Sequence, residues 1–335
     1  MTQDEFAPQR VLPYRGWWPL LGGALAGIAL RLIYLGKAGE AYAPMMQSFI
    51  FSSPVLVAVV TVYFAELKSR RSWAYYFFAP AGATLLYVLG TLLVMIEGWI
   101  CAILIFPLFA LISGIAGLAM GAICRVTDWP RRTIVGCVAV LPLITGGLEQ
   151  HLALPPRERV AEREVLVGAS APAVWRELID ARHIAPEEMD EAWLYRIGVP
   201  MPISGVADTQ DGEHLRHVTM GKGIHFDQVA SEWRENEAVS WQYRFAEDSF
   251  PAGALDDHVR IGGHYFDLGE TQYTLSENGG QTRLRIRMHY RVSTRFNWYA
   301  GPVADLLVGN FAEVVLRFYA RRAIRAAQPQ SGAAS

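Results

Sequence analysis

The chain has 335 residues, 52% of them hydrophobic, and a formal net charge of −2, so it lacks the basic excess that nucleic-acid binding requires. Its three cysteines, Cys101, Cys124 and Cys137, all fall in apolar segments, which excludes a disulfide framework or a cysteine zinc site in the second half. The apolar excess is concentrated before about residue 150, and no repeat of solenoid period is present.

Residues 1–16 read as a tail whose mixed charge and missing small-x-small site do not fit a cleavable signal. A span needs about 20 apolar residues in helix to cross a hydrocarbon layer of ~30 Å. Trp17 to Gly36 and Met45 to Leu67 meet that length, and the run from Tyr75 to Cys124 fits a helical hairpin turning at Glu97-Gly98. Arg31 reads as a side chain snorkelling from the end of the first span, and Glu97 as an interfacial turn residue. Trp17, Trp18, Trp73 and Trp99 sit at segment edges, where an aromatic belt belongs.

A fifth candidate, Thr133 to Leu148, is short and contains Pro142, so residues 17–150 form a transmembrane domain of four or five helices. Arg10, Arg15, Lys68, Arg70, Arg71, Arg125, Arg131 and Arg132 all fall on one side of the layer and only Lys37 on the other, which makes the first side cytoplasmic. Five crossings, the expected number, put the rest of this multi-pass inner-membrane chain on the non-cytoplasmic side; four keep it inside.

A linker at 151–159, holding Leu154-Pro155-Pro156, leads into a domain expected at 160–326, with a disordered tail at 327–335. Val160, Glu162, Glu164 and Leu166 mark an extended segment, and Ser170 is placed to N-cap a helix carrying Val174, Trp175, Leu178 and Ile179 on one face. Strands are expected at His214 to Met220, Ile224 to Trp233, Val239 to Phe245 and His264 to Leu275. The clearest strand is Thr282 to Ser293, where Leu284, Ile286, Met288, Tyr290 and Val292 alternate with Arg283, Arg285, Arg287, His289 and Arg291 after a turn at Glu277-Asn278-Gly279-Gly280. A final helix from Pro302 to Ala326 stacks Leu307, Phe311, Val314, Val315 and Phe318, with Arg317, Arg321, Arg322 and Arg325 toward its C-terminus. The fold class is therefore a helical transmembrane bundle followed by an α+β domain, an antiparallel sheet with a long helix across it.

No nucleophile elbow, zinc spacing, phosphate loop or dinucleotide fingerprint occurs, and Gly221-Lys222-Gly223 reads as a hairpin turn. His214, His217 and His225 read as solvated strand histidines, and Glu187-Glu188-Met189-Asp190-Glu191 as a solvated acidic face. Asp256-Asp257-His258 reads as a polar loop, with an acid/base pair as the alternative.

The opening Glu164-Val165-Leu166-Val167-Gly168-Ala169-Ser170-Ala171-Pro172-Ala173-Val174-Trp175, the turn-rich strands and the long last helix resemble the START-like superfamily known as SRPBCC, which includes polyketide cyclase-like proteins. The order of spans first and such a domain last is similar to bacterial multi-pass membrane proteins to which no activity has been assigned. The resemblance implies a curved sheet gripping the helix around an apolar cavity, and it implies no particular reaction.

On the strands, Trp233, Trp241, Tyr243, Tyr265, Tyr273 and Tyr290 combine apolar bodies with one polar atom each, which suits either core filling or a pocket wall. The candidate ligand-binding residues are Trp233, Trp241, Tyr243, His264, Tyr265 and Tyr290, with no catalytic residue, metal or cofactor expected. The leading reading is a membrane-tethered module binding a lipid or other apolar small molecule, its partners being the bilayer and that ligand. The alternatives are a cyclase- or hydrolase-like enzyme using His264, His217 or Asp267, and a structural or sensory membrane protein docking a protein partner.

Overall fold

The computed structural model describes residues 16–37, 40–127, 132–152, 157–210 and 212–328, and the chain divides into two compact units with the main change at residues 153/154, residues 98–101 grouping with the second. Arg10, Arg15, Arg131, Pro155, Pro156 and residues 329–335 lie outside the described residues.

The first unit is helical: α1 (Trp18–Ile33), α2 (Gln47–Glu66), α3 (Trp73–Leu93), α4 (Trp99–Val126) and α5 (Arg132–Glu149). Three of them, α2, α3 and α4, are long and apolar enough to cross a membrane, while α1 and α5 are shorter. α1 stops at Ile33, short of the expected Gly36, after 16 residues. α1 can approach its neighbours because Gly23 and Gly27 carry no Cβ: one added at Gly23 would lie 2.0 Å from Thr61 Oγ1, and one at Gly27 2.7 Å from Val57. Trp17, Trp18, Trp73 and Trp99 are all exposed, as belt residues are.

Arg31 departs from expectation. It is buried and its Nε donates to Glu97 Oε1 at 2.5 Å, while a terminal nitrogen donates to the Tyr34 carbonyl. A guanidinium that far along α1 finds a carboxylate at the α3–α4 turn, so pairing replaces snorkelling.

α5 runs antiparallel to α2. Ile134, Val135 and Val138 pack where Val59 and Val62 lie, and at the other end the Glu149 carboxylate accepts the backbone N–H groups of Gln47 and Ser48, each at 2.8 Å. Those amides are orphan donors of the first turn of α2, so a side chain from α5 supplies the N-cap that Met46 cannot.

The second unit is a curved seven-stranded antiparallel sheet and a long helix. Its elements are β1 (Arg157–Val167), α6 (Ala171–Ile179), α7 (Trp193–Arg196), β2 (Pro202–Gln210), β3 (Glu213–Met220), β4 (His225–Arg234), β5 (Ala238–Arg244), β6 (Phe266–Asn278), β7 (Gln281–Val292) and α8 (Asn297–Ala327). The strand order is β1-β7-β6-β5-β4-β3-β2, so the two strands that bracket the helical insert form the two edges. Asn278 pairs with Gln281 across the expected hairpin turn. The alternation in β7 holds: Leu284, Ile286, Met288, Tyr290 and Val292 are buried, and Arg283, Arg285 and Arg287 face out.

Four local expectations change. β2 was not anticipated, because Pro202, Gly205 and a polar end hide its alternation. Ser170 occupies the N-cap of α6 without a capping bond, and the Ala171 N–H goes to Glu277 Oε2 at 3.1 Å instead. α8 begins one turn early, and its buried stripe runs through Val308, Ala312, Val315, Tyr319 and Ala323, leaving Leu307 and Phe311 at its margin. The acidic run is not simply solvated: Glu188 pairs with Arg322 at 2.6 Å and Arg325 at 2.9 Å, and Glu191 with Arg317 at 3.3 Å.

Candidate functional site

Facing strands place opposite residues on the same side of a sheet. Arg216 on β3 stands opposite Gln228 on β4, and Gln228 opposite Tyr243 on β5, so these three form a polar row along the face that packs on α8. Arg216 is only 6% exposed. Its Nη2 donates to the Tyr319 hydroxyl of α8 at 2.9 Å and its Nη1 to Gln228 Oε1 at 3.4 Å, near the limit of a useful bond. The buried Nε has no acceptor. Room for the guanidinium comes from Gly205 on β2, where an added Cβ would sit 2.6 Å from Nη2 and 2.7 Å from Nε.

Around this row the tyrosines close in. The Tyr243 hydroxyl is 2.7 Å from Thr271 Oγ1, and Tyr273 meets Tyr319 edge-on with centroids 5.9 Å apart. Burial pushes the phenols of Tyr243 and Tyr273 up, so both are neutral near pH 7. Beside them Trp241 is fully buried, and its indole Nε1 has no partner either.

The six expected residues divide. Trp233 touches Trp241 at 6.1 Å and Trp175 of α6 at 5.2 Å, and His214 stacks on it at 3.9 Å. Trp241 and Tyr290 are in the main core, with Trp233 and Tyr243 packed against it. Tyr290 sits at the far end of β7, donating to Asp305 of α8, which also takes Arg159 Nε at 2.7 Å. Burial, and then the hydrogen bond to Asp305, hold the Tyr290 phenol well above its usual range. His264 and Tyr265 touch each other ahead of β6, and His264 is exposed.

The histidines of β3 and β4 do not converge: His217 bonds Asp227 at 2.6 Å, His225 faces Asp248 at 3.4 Å, and His214 is 3.2 Å from Thr209 Oγ1. Asp256 and His258 form a shielded pair at 2.9 Å. Burial works to raise the Asp256 carboxyl, but the hydrogen bonds and charge of His258 outweigh it and bring the carboxyl to about 2. Asp267 accepts the Gly262 N–H at 2.8 Å. Arg216 and Tyr319 were not singled out from sequence. In His214-Leu215-Arg216-His217 polar residues occupy both strand faces, so period two gives no sign of which points inward.

The chain matches no protein-family profile. It matches no curated protein sequence. Solved structures do match its C-terminal half. A START superfamily protein from Mycobacterium smegmatis is 16% identical with a TM-score of 0.33, covering 50% of this chain and 98% of that one. The Zhui aromatase/cyclase from Streptomyces sp. R1128 is 12% identical with a TM-score of 0.31, over 52% of this chain and 99% of that one. Norcoclaurine synthase from Thalictrum flavum, in complex with dopamine and hydroxybenzaldehyde, is 12% identical with a TM-score of 0.30, over 52% and 91%. Likenesses at these values carry no information about ligand or reaction.

Proposed function

We propose that this chain is a membrane-tethered binding module that holds a mainly apolar small molecule between the sheet and α8. The observation that carries the reading is two buried donors without a protein partner beside the polar row of β3, β4 and β5, Arg216 Nε and Trp241 Nε1. Buried donors are nearly always bonded, and an indole N–H in a core ordinarily finds an acceptor. A ligand oxygen would satisfy them, while the surrounding Trp, Tyr and aliphatic side chains would take its apolar body.

The tether is the bundle containing α2, α3 and α4. Whether the binding unit stands outside the cytoplasm depends on α5. Its 18 residues rise about 27 Å at ~1.5 Å each, and it lies along α2 from Val62 to Gln47, which supports a crossing by both. With Lys68, Arg70, Arg71 and Arg125 cytoplasmic, a crossing α5 leads to the non-cytoplasmic face.

Native mass spectrometry of the full chain, released gently from its membrane, tests the binding reading. The expected result is a discrete small-molecule mass that is lost on denaturation; a bare polypeptide that also takes up nothing from a lipid extract overturns it. A periplasmic-type reporter fused after Ser335 is expected to be active outside the cytoplasm, and activity only inside overturns the placement.

A further inference from the structure

Among the described residues three charged side chains are buried: Arg31, Glu149 and Arg216. Arg31 has Glu97, and Glu149 has the two amides at the start of α2. Arg216 has no carboxylate. Its partners are the hydroxyl of Tyr319 and the amide of Gln228, neither of them a carboxylate, and burial raises the phenols of Tyr243 and Tyr273 around it, so these two are neutral near pH 7. A guanidinium stays protonated in proteins, so a full positive charge is buried with no carboxylate bonded to it among the described residues. The Nε–H and one N–H on each terminal nitrogen have no protein acceptor.

Resting on the binding function proposed above, we propose that the ligand is an apolar carboxylic acid whose carboxylate pairs with Arg216. The fork of guanidinium N–H groups matches the two oxygens of a carboxylate, and the Arg216 Nε that lacks a protein partner is part of that fork. A single cation favours a monoanion: a phosphate monoester would bring a second negative charge, and the described partners of Arg216, Tyr319 and Gln228, supply no second cation. Gly205 fits the same account, since any side chain there would take the volume that the guanidinium occupies.

The test uses the full chain in lipid nanodiscs with 2-naphthoic acid and the neutral, matched 2-naphthamide, two probes that partition less into lipid than long-chain acids do. The wild-type protein is expected to bind the acid at least tenfold more tightly than the amide. Arg216→Met is expected to bring the two affinities within about twofold of each other, and Arg216→Lys to keep part of the preference. A buried charge awaiting its partner also destabilises the empty protein, so Arg216→Met should raise the thermal midpoint of the ligand-free chain by a few degrees. Equal binding of the two probes by wild type, a preference that survives Arg216→Met, failure of both probes to bind, or a lowered midpoint in Arg216→Met overturns the inference. A neutral molecule found by native mass spectrometry would overturn it while leaving the binding function standing; a bare polypeptide would remove both.

Discussion

The two faces of the sheet use the same residue type in opposite ways. On the outer face Arg287 meets Glu162 at 2.8 Å and Arg285 meets Glu164 at 2.9 Å, each in register across β1 and β7 and each in contact with water. On the inner face Arg216 is buried, and no carboxylate among the described residues bonds to it. Where pairing is least needed, because solvent already stabilises the charge, it is complete; where it is most needed, it is missing. That inversion separates the arginines paired across β1 and β7 from one that no carboxylate of the described residues meets.

The comparison can be tested by substitutions on each face. The largest effect is expected inside: Trp241→Ala removes a fully buried ring and should cost roughly 3–5 kcal/mol, read as a lowered unfolding midpoint in the full chain. Next comes Glu188→Gln, against α8, which removes the negative charge and one of the two oxygens that accept from Arg322, Arg325 and the Ala185 N–H and should cost about 2 kcal/mol. The Arg322 bond holds the Glu188 carboxyl at about 2, below its ordinary 4.5, so its contribution is present above about pH 4.5 and is lost as pH falls toward 2. Acid unfolding of Glu188→Gln should lack that component. Asp305→Asn weakens the bonds from Arg159 and Tyr290, but Asp305 is half exposed, and a loss of about 1 kcal/mol is expected from the same thermal measurement. Glu162→Gln on the wet face should leave the midpoint unchanged; a loss as large as that of Glu188→Gln would erase the distinction between the faces.

Much of the second unit was legible because β7 obeys period two without exception and the turn before it is built from Asn278, Gly279 and Gly280. The edge strand β2 was not, since an edge makes fewer packing demands and its sequence carries correspondingly little pattern. Long-range partners were illegible for a different reason. Nothing near Glu188 in sequence announces Arg322, 134 residues on, and nothing near Ala171 announces Glu277. The candidate site shares that limit: its aromatic members were visible as residue types, but Arg216 becomes informative only once its bonded partners are known to be Tyr319 and Gln228.

Glu149 closes on Gln47, 102 residues earlier in the chain. During synthesis the first turn of α2 therefore exists long before its acceptor does, and its amides must rely on other acceptors until α5 has been made. The fifth helix is the one that latches the first unit, so a chain interrupted before Glu149 leaves the start of α2 without its side-chain cap.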